Sequence, residues 1–204
     1  MSIATLDWIT NSCGTAHTMI RTCNNEVTFN GQINAKNITD LIKVFDDCII
    51  EIKKTNTASM SSKSDSINII LYIDSYGGTL KDCYKFIDYI NIIKRLHKVK
   101  LTTVGMEVIA SAATLIHSVG DERLITANTE IMIHELYTGM QGKYTECLSY
   151  IKSITDTHEK LIKIYLDTNK KNISRETLEI LLRKESWFTA DEYIELGFAD
   201  SIYA

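Results

Sequence analysis

The chain has 204 residues, 45% of them hydrophobic, with a formal net charge of −4 and no proline. That length carries one sizeable core, the weak acidic balance without a basic stripe excludes nucleic acid as an expected partner, and the longest apolar runs, such as Ile67 to Ile73, fall far short of the ~20 residues that span a bilayer. Five cysteines, at 13, 23, 48, 83 and 147, are odd in number and lack C-x-x-C spacing; this argues against a disulfide framework or a zinc site and for a reducing compartment, expected to be the cytoplasm or a reducing organelle interior.

Residues 1–25 show no clear period and read as a terminal arm of uncertain structure. No basic segment followed by an apolar one opens it, so no secretory leader is expected. Glu26 to Asn30 reads as a short strand, turned by Gly31. Apolar residues at 38, 41, 42, 45, 48, 49 and 52 predict a helix, with Asn37 or Thr39 as its cap. Lys54 to Ser66 is polar and rich in Ser and Thr, and reads as a solvated loop. The β-branched run Ile67 to Ile73 predicts a strand covered on both faces, as in parallel sheets. Gly77-Gly78 ends it. Thr79 then caps a helix with apolar positions 80, 83, 84, 87, 90 and 93 on one face.

Val99 to Val104 is the next predicted strand, broken by Gly105. A helix follows from Ser111 to Val119, then short strands at Arg123–Thr126 and Ile131–His134. Apolar spacing predicts a long amphipathic helix over 144–168. Ser174 caps a helix reaching Arg183, Thr189-Ala-Asp-Glu192 is a capping box for a last helix ending at Gly197, and Asp200 to Tyr203 reads as a final strand. The repeated βα order predicts an α/β fold with a mostly parallel sheet.

Three places carry chemistry. Gly77-Gly78 joins a buried strand to a helix, where glycine permits positive φ and close approach of another backbone, and where helix N-terminal N–H groups face outward; a plain tight turn reads the same way. Ser111 sits between Ala110, Ala112 and Ala113, neighbours small enough to bring the Ala112 N–H and a substrate carbonyl within reach of the hydroxyl; the plainer reading is an N-cap serine. His134 closes an apolar strand next to a loop, where catalytic groups collect in α/β folds; a buried histidine satisfied by backbone reads the same way. A base needs an orienting carboxylate; Glu185 and Asp191, on either side of Trp187-Phe188-Thr189, are the candidates, and each reads equally well as a surface acid or a helix-cap charge. No P-loop, G-x-S-x-G elbow or H-E-x-x-H motif occurs.

Together Tyr72-Ile-Asp-Ser-Tyr-Gly-Gly78, Ala110-Ser-Ala-Ala113, Gly120-Asp121, Met132-Ile-His134 and the segment Phe188 to Ile202 make the chain resemble the proteolytic subunits of Clp proteases, over roughly Glu26 to Tyr203. The resemblance implies a Clp/crotonase-like fold of stacked ββα units, with 26–204 as the peptidase domain and the helix over about 144–168 as a protruding handle. It implies a serine endopeptidase with Ser111 as nucleophile, His134 as base and Glu185 as acid, and with Gly77, Gly78 and Ala112 forming the oxyanion and substrate-binding turn. No cofactor or metal is implied. The implied partners are further copies of this chain in a heptameric ring, stacked as a tetradecamer; an AAA+ unfoldase; and unfolded polypeptide.

Three departures bear on these expectations. The family usually places three residues between its glycine and its serine, whereas five separate Gly105 from Ser111, so an ungapped match would put Ile109 at the nucleophile position. Tyr76 stands where proline commonly precedes the glycine pair. Glu185 replaces the usual aspartate. A ring subunit without catalysis, a crotonase-fold enzyme acting on acyl-CoA, and a serine–lysine peptidase using Lys81, Lys85 or Lys94 are the alternatives.

Overall fold

The structure, a computed structural model, describes residues 18–58 and 66–203. The arm up to residue 17, and the part of the predicted polar loop from 59 to 65, lie outside the described residues. Within the rest of the predicted arm, Met19–Cys23 forms β1, paired antiparallel with β2 (Glu26–Asn30) through a turn at Asn24. Met19 and Ile20 are half-buried and Arg21, Thr22 and Cys23 exposed, a run with no alternation, so only the pairing with β2 reveals it.

Helix α1 (Ala35–Ala58) starts earlier and ends later than its apolar period. Asn34, not Asn37 or Thr39, supplies the cap: its Oδ1 accepts from the Asn37 N–H at 2.9 Å. Asn37 is instead inside the helix and donates to Gln32 O and Thr18 Oγ1. Strand β3 (Ile67–Ser75) follows, and its burial alternates rather than being complete on both faces. The odd-numbered residues from Ile67 to Ser75 face the core, while Asn68 is exposed and Ile70, Tyr72 and Asp74 are half-buried. Helix α2 (Leu80–His97) buries Cys83, Phe86, Ile87, Ile90 and Ile93. Thr79 holds the N-cap position, its carbonyl accepting the Cys83 N–H, but its side chain accepts no helix N–H and its hydroxyl donates to Asp82 instead.

The remaining elements are β4 (Val99–Ala110), α3 (Ala112–Ser118), β5 (Glu122–Ile125), β6 (Glu130–Ile133), α4 (Tyr144–Thr168), α5 (Arg175–Arg183), β7 (Ser186–Phe188), α6 (Ala190–Glu195) and β8 (Ser201–Ile202). Ser174 and Thr189 cap α5 and α6 with their side chains. The sheet runs β1-β2-β3-β4-β5-β8, with β6 on β4 and β7 on β6. Among the described residues, only the β1–β2 and β6–β7 pairs are antiparallel. The architecture is thus α/β with a mostly parallel sheet, as the repeated βα order predicts.

Gly105 does not end β4. The strand runs on to Ala110, and its register against β3 changes on the way: Ile73 pairs with Gly105, but Ser75 pairs with Ile109. Four residues of β4 therefore span two of β3, which is a β-bulge, and Glu107 within it has φ 49. Before the bulge β4 pairs with β5, and beyond it with β6. The bulge thus turns one strand into the shared edge of two strand pairings, and it carries Ile109, fully buried, back into the sheet.

Candidate active site

The C-terminal ends of β3 and β4 meet at a crowded turn. Gly77 has φ 94, and a Cβ added there would lie 2.6 Å from Ala110 O, 2.8 Å from Ser111 Cβ and 3.0 Å from Ala112 N. Only a glycine lets the two turns approach so closely. Gly78 (φ 149) packs on Ile33, whose carbonyl would be 2.0 Å from an added Cβ. The bridge between Ile33 and Gly78 uses the Gly77 carbonyl and the Thr79 N–H, so the Gly78 N–H lies outside it. The buried Ser75 hydroxyl accepts from the Gly77 N–H at 3.0 Å and braces the turn. Sequence reasoning assigned Ser75 no such role.

Ser111 stands alone between β4 and α3, at φ 55 and ψ −126. This backbone is strained for a residue with a Cβ, and such strain persists only where the surroundings enforce it. A sharp strand-to-helix elbow is a setting that exposes a nucleophilic hydroxyl. Ser111 does hold the N-cap position of α3, its carbonyl accepting the Thr114 N–H at 3.1 Å, but its side chain makes no cap hydrogen bond, so the hydroxyl is not spent on capping. Its N–H donates to Met132 O at 2.8 Å, which fastens the elbow to β6. Ala112 opens α3, so its N–H has no carbonyl one turn back in the helix.

The hydroxyl meets the imidazole: Ser111 Oγ lies 2.7 Å from His134 Nε2. Burial pushes the imidazole below its ordinary value, while the carboxylates of Glu185 and Glu135 pull it back up. A neutral imidazole is the form that accepts the hydroxyl proton. Glu185 is placed by β7, a strand absent from the predicted elements. Ile133 pairs with Ser186, so the next pair outward in that register is His134 with Glu185. Leu182 O ties the two segments together, accepting both the Glu135 and the Glu185 N–H at 3.1 Å. Glu185 itself is exposed, at φ 50. Among the described residues no hydrogen bond joins its carboxylate to His134. Asp191, in the first turn of α6, is not among the charges acting on the imidazole.

The bulge accounts for the unusual glycine-to-serine spacing. Two surplus residues are taken up between Gly105 and Ile109, and Ser111, not Ile109, arrives at the elbow. The serine–lysine reading is not supported: the Ser111 hydroxyl is paired with His134, Lys94 donates to Val119 O and Asp121, and Lys85 donates to Thr39. Among the described residues, no group of three or more His, Cys, Asp or Glu is arranged to hold a metal ion. The arrangement as a whole is a hydroxyl on an imidazole, a carboxylate across a strand pair, and backbone N–H groups on two abutting turns, which are the parts acyl transfer requires.

Comparison with known proteins points the same way. A model of the Clp protease family matches residues 28–204. The chain is 29% identical over 147 residues to an ATP-dependent Clp protease proteolytic subunit of Leuconostoc citreum, covering 70% of each chain. It is 28% identical over 148 residues to ATP-dependent Clp protease proteolytic subunit 2 of Treponema denticola, again covering 70% of each. With the corresponding subunit of Streptococcus salivarius it shares 28% identity over 149 residues, 71% of this chain and 73% of that one.

Proposed function

The chain belongs to the Clp protease family, and on that footing we propose that it is a peptidase subunit of the serine type, an endopeptidase working through an acyl-enzyme on Ser111. The carrying observation is the 2.7 Å contact between Ser111 Oγ and His134 Nε2 at a strained elbow. His134 takes the hydroxyl proton as Ser111 attacks the scissile carbonyl. The N–H groups of Gly78 and Ala112 receive the oxyanion, a contribution of about 3–4 kcal/mol per donor in other enzymes. His134 then passes its proton to the leaving amine, and water hydrolyses the ester by the same route in reverse. Glu185 stabilises the imidazolium from across the β6–β7 pair. The substrate lies extended along Gly77, Gly78 and Thr79, added as a strand.

A fluorophosphonate probe tests this. We expect labelling of the wild-type chain and none of Ser111→Ala; labelling that survives the substitution overturns the assignment. A second reading, a ring subunit without catalysis, draws on one observation: the exposed Glu185 makes no hydrogen bond to His134 among the described residues. Assembled particles that neither label nor cleave peptides decide for it.

The proposal extends to assembly. Tyr144, Leu148 and Ile151 on the first half of α4 are 77%, 49% and 60% exposed. Three large exposed apolar side chains on one face of a helix call for cover, and the family likeness supports further copies of this chain as that cover, in two stacked heptameric rings served by an AAA+ unfoldase that delivers unfolded polypeptide. Native mass measurement checks this: a monomer at working concentration overturns it. We propose a cytoplasmic or other reducing location. Cys23, Cys48, Cys83 and Cys147 are free thiols, which supports it; a disulfide in protein isolated from its source without reductant would count against it. Among the described residues no helix is long and apolar enough to cross a membrane.

A further inference from the structure

Two acidic side chains beside the elbow take no part in the chemistry above. Asp74 is the residue of β3 that faces the bulge, lying between Ile73 and Ser75, whose partners in β4 are four residues apart. It is tied on its β2 side: its carbonyl accepts from the Gly31 N–H at 3.1 Å, and Asn30 Nδ2 donates to its Oδ2 at 2.5 Å. On its β4 side the Val108 amide and the Glu107 carboxyl lie against the same carboxyl group. A bulge leaves its surplus residue outside the ladder, and a freed amide needs an acceptor. Glu107, at φ 49, also occupies a conformation that disfavours any residue but glycine, so something must hold it there.

We propose that Asp74 is a positioning residue for Ser111: its carboxyl, anchored to Asn30, clamps the Glu107–Val108 bulge and so sets the register that delivers Ser111 to His134. The consequence follows from strand geometry. A slip of one residue turns every side chain beyond the bulge to the opposite face, and a slip of two sets Ile109 where Ser111 stands. The clamp does not depend on charge. Burial and the neighbouring Glu107 carboxylate hold the Asp74 carboxyl above its ordinary range, so a neutral amide that still accepts from Val108 and donates to Glu107 suits the place.

The inference rests on Ser111 being the nucleophile, and its test keeps the two apart. Hydrogen exchange across residues 105–110 reads the clamp; fluorophosphonate labelling and peptide kinetics read Ser111. In Asp74→Ala, exchange across this segment quickens about tenfold, reflecting local opening. Labelling slows about tenfold, with kcat falling and KM unchanged, because the misplacement affects the reacting atom and not substrate binding. Asp74→Asn restores both, and Glu107→Gln, which gives the Asp74 carboxyl a donor, leaves both at or above the wild-type level. If Asp74→Ala fails to fold, Asn30→Ala, which unties only the anchor, carries the same comparison. Unchanged exchange overturns the proposal, as does quickened exchange with unchanged labelling, or an Asp74→Asn chain as impaired as Asp74→Ala. If no chain labels, the wild type included, while exchange follows the stated order, the clamp stands and the peptidase reading falls.

Discussion

Gly77 and Glu185 show how much rests on single residues. Any side chain at Gly77 meets the backbone of Ala110 and Ala112 and the Cβ of Ser111 at once, and none of these is the free end of a flexible chain. Gly77→Ala therefore pushes on the elbow itself. We expect it to slow labelling of Ser111 about 10²-fold, the penalty typical of a displacement of about 1 Å at a reacting centre, and to cost more than about 1 kcal/mol of stability from the positive φ; labelling rates and denaturant midpoints measure both. Glu185 is expected to act on His134 through charge. His134 lies below its ordinary value of 6.5 because of burial, and the Glu185 carboxylate works against that by favouring the imidazolium. The base is competent when neutral, so the acid limb of the pH–rate profile has its midpoint below 6.5. Glu185→Gln removes the upward pull and moves this limb to still lower pH. It also lowers kcat about 10²-fold, short of the ~10⁴ that a buried triad acid supplies. An acid limb that stays in place separates Glu185 from His134.

At the level of the element, β4 decides the site. It carries Gly105, the bulge and the approach to Ser111 in one strand, and it pairs with β5 before the bulge and with β6 after it. Deleting Met106 and Glu107 together removes two residues, preserves the alternation of faces and restores the three-residue spacing usual in the family. We expect that chain to fold and to label at Ser111. Deleting Glu107 alone inverts the faces of every residue from Val108 onward up to the elbow, turning Ile109 out of the core and Ser111 away from His134. It is expected to lose labelling outright and to unfold at lower denaturant. In the double deletion Asp74 has no bulge to clamp, so Asp74→Ala added to it should have little further effect on labelling, a non-additivity that a double-mutant comparison reads directly.

Across the whole molecule, acid stability depends on a histidine remote from the chemistry. His117 is fully buried in α3, with Nε2 at 2.8 Å from Leu124 O and its ring 5.9 Å from that of Tyr193. Its Nε2 donates to the carbonyl, which leaves Nδ1 as an acceptor, and Nδ1 and the Tyr193 hydroxyl are both buried without partners among the described residues. Burial is the main force pushing its value down from 6.5 to about 4. The unfolded chain therefore binds the proton more readily than the folded one, and stability falls as pH drops from 6.5 towards 4, by up to about 3 kcal/mol from this group. Above 6.5 the group contributes no pH dependence. Denaturant midpoints measured across that range should show the slope, and His117→Phe should flatten it. Elsewhere the assembly is held by pairs such as Arg123 with Asp200, where the buried guanidinium also reaches Thr168 O and so joins β5, the end of α4 and the segment before β8.

Local patterning by itself determined most elements and the principal pair. Apolar spacing marked α1, α2 and α4, capping residues marked α5 and α6, and Ser111 and His134 stood out because their surroundings in the chain are unusual for a serine and a histidine. Strand pairing decided the rest. β1, whose burial does not alternate, and β7, three residues long, show no usable period and exist because β2 and β6 offer them an edge. The preference for Glu185 over Asp191 comes from the register of β6 against β7, and the acceptance of Ser111 over Ile109 from the register of β4 against β3. Register is a relation between segments distant in the chain, and no local propensity encodes it. The five-residue step from Gly105 to Ser111 was legible as an anomaly, but only the packed sheet, in which Ile109 must be buried and Glu107 need not be, turns that anomaly into a bulge.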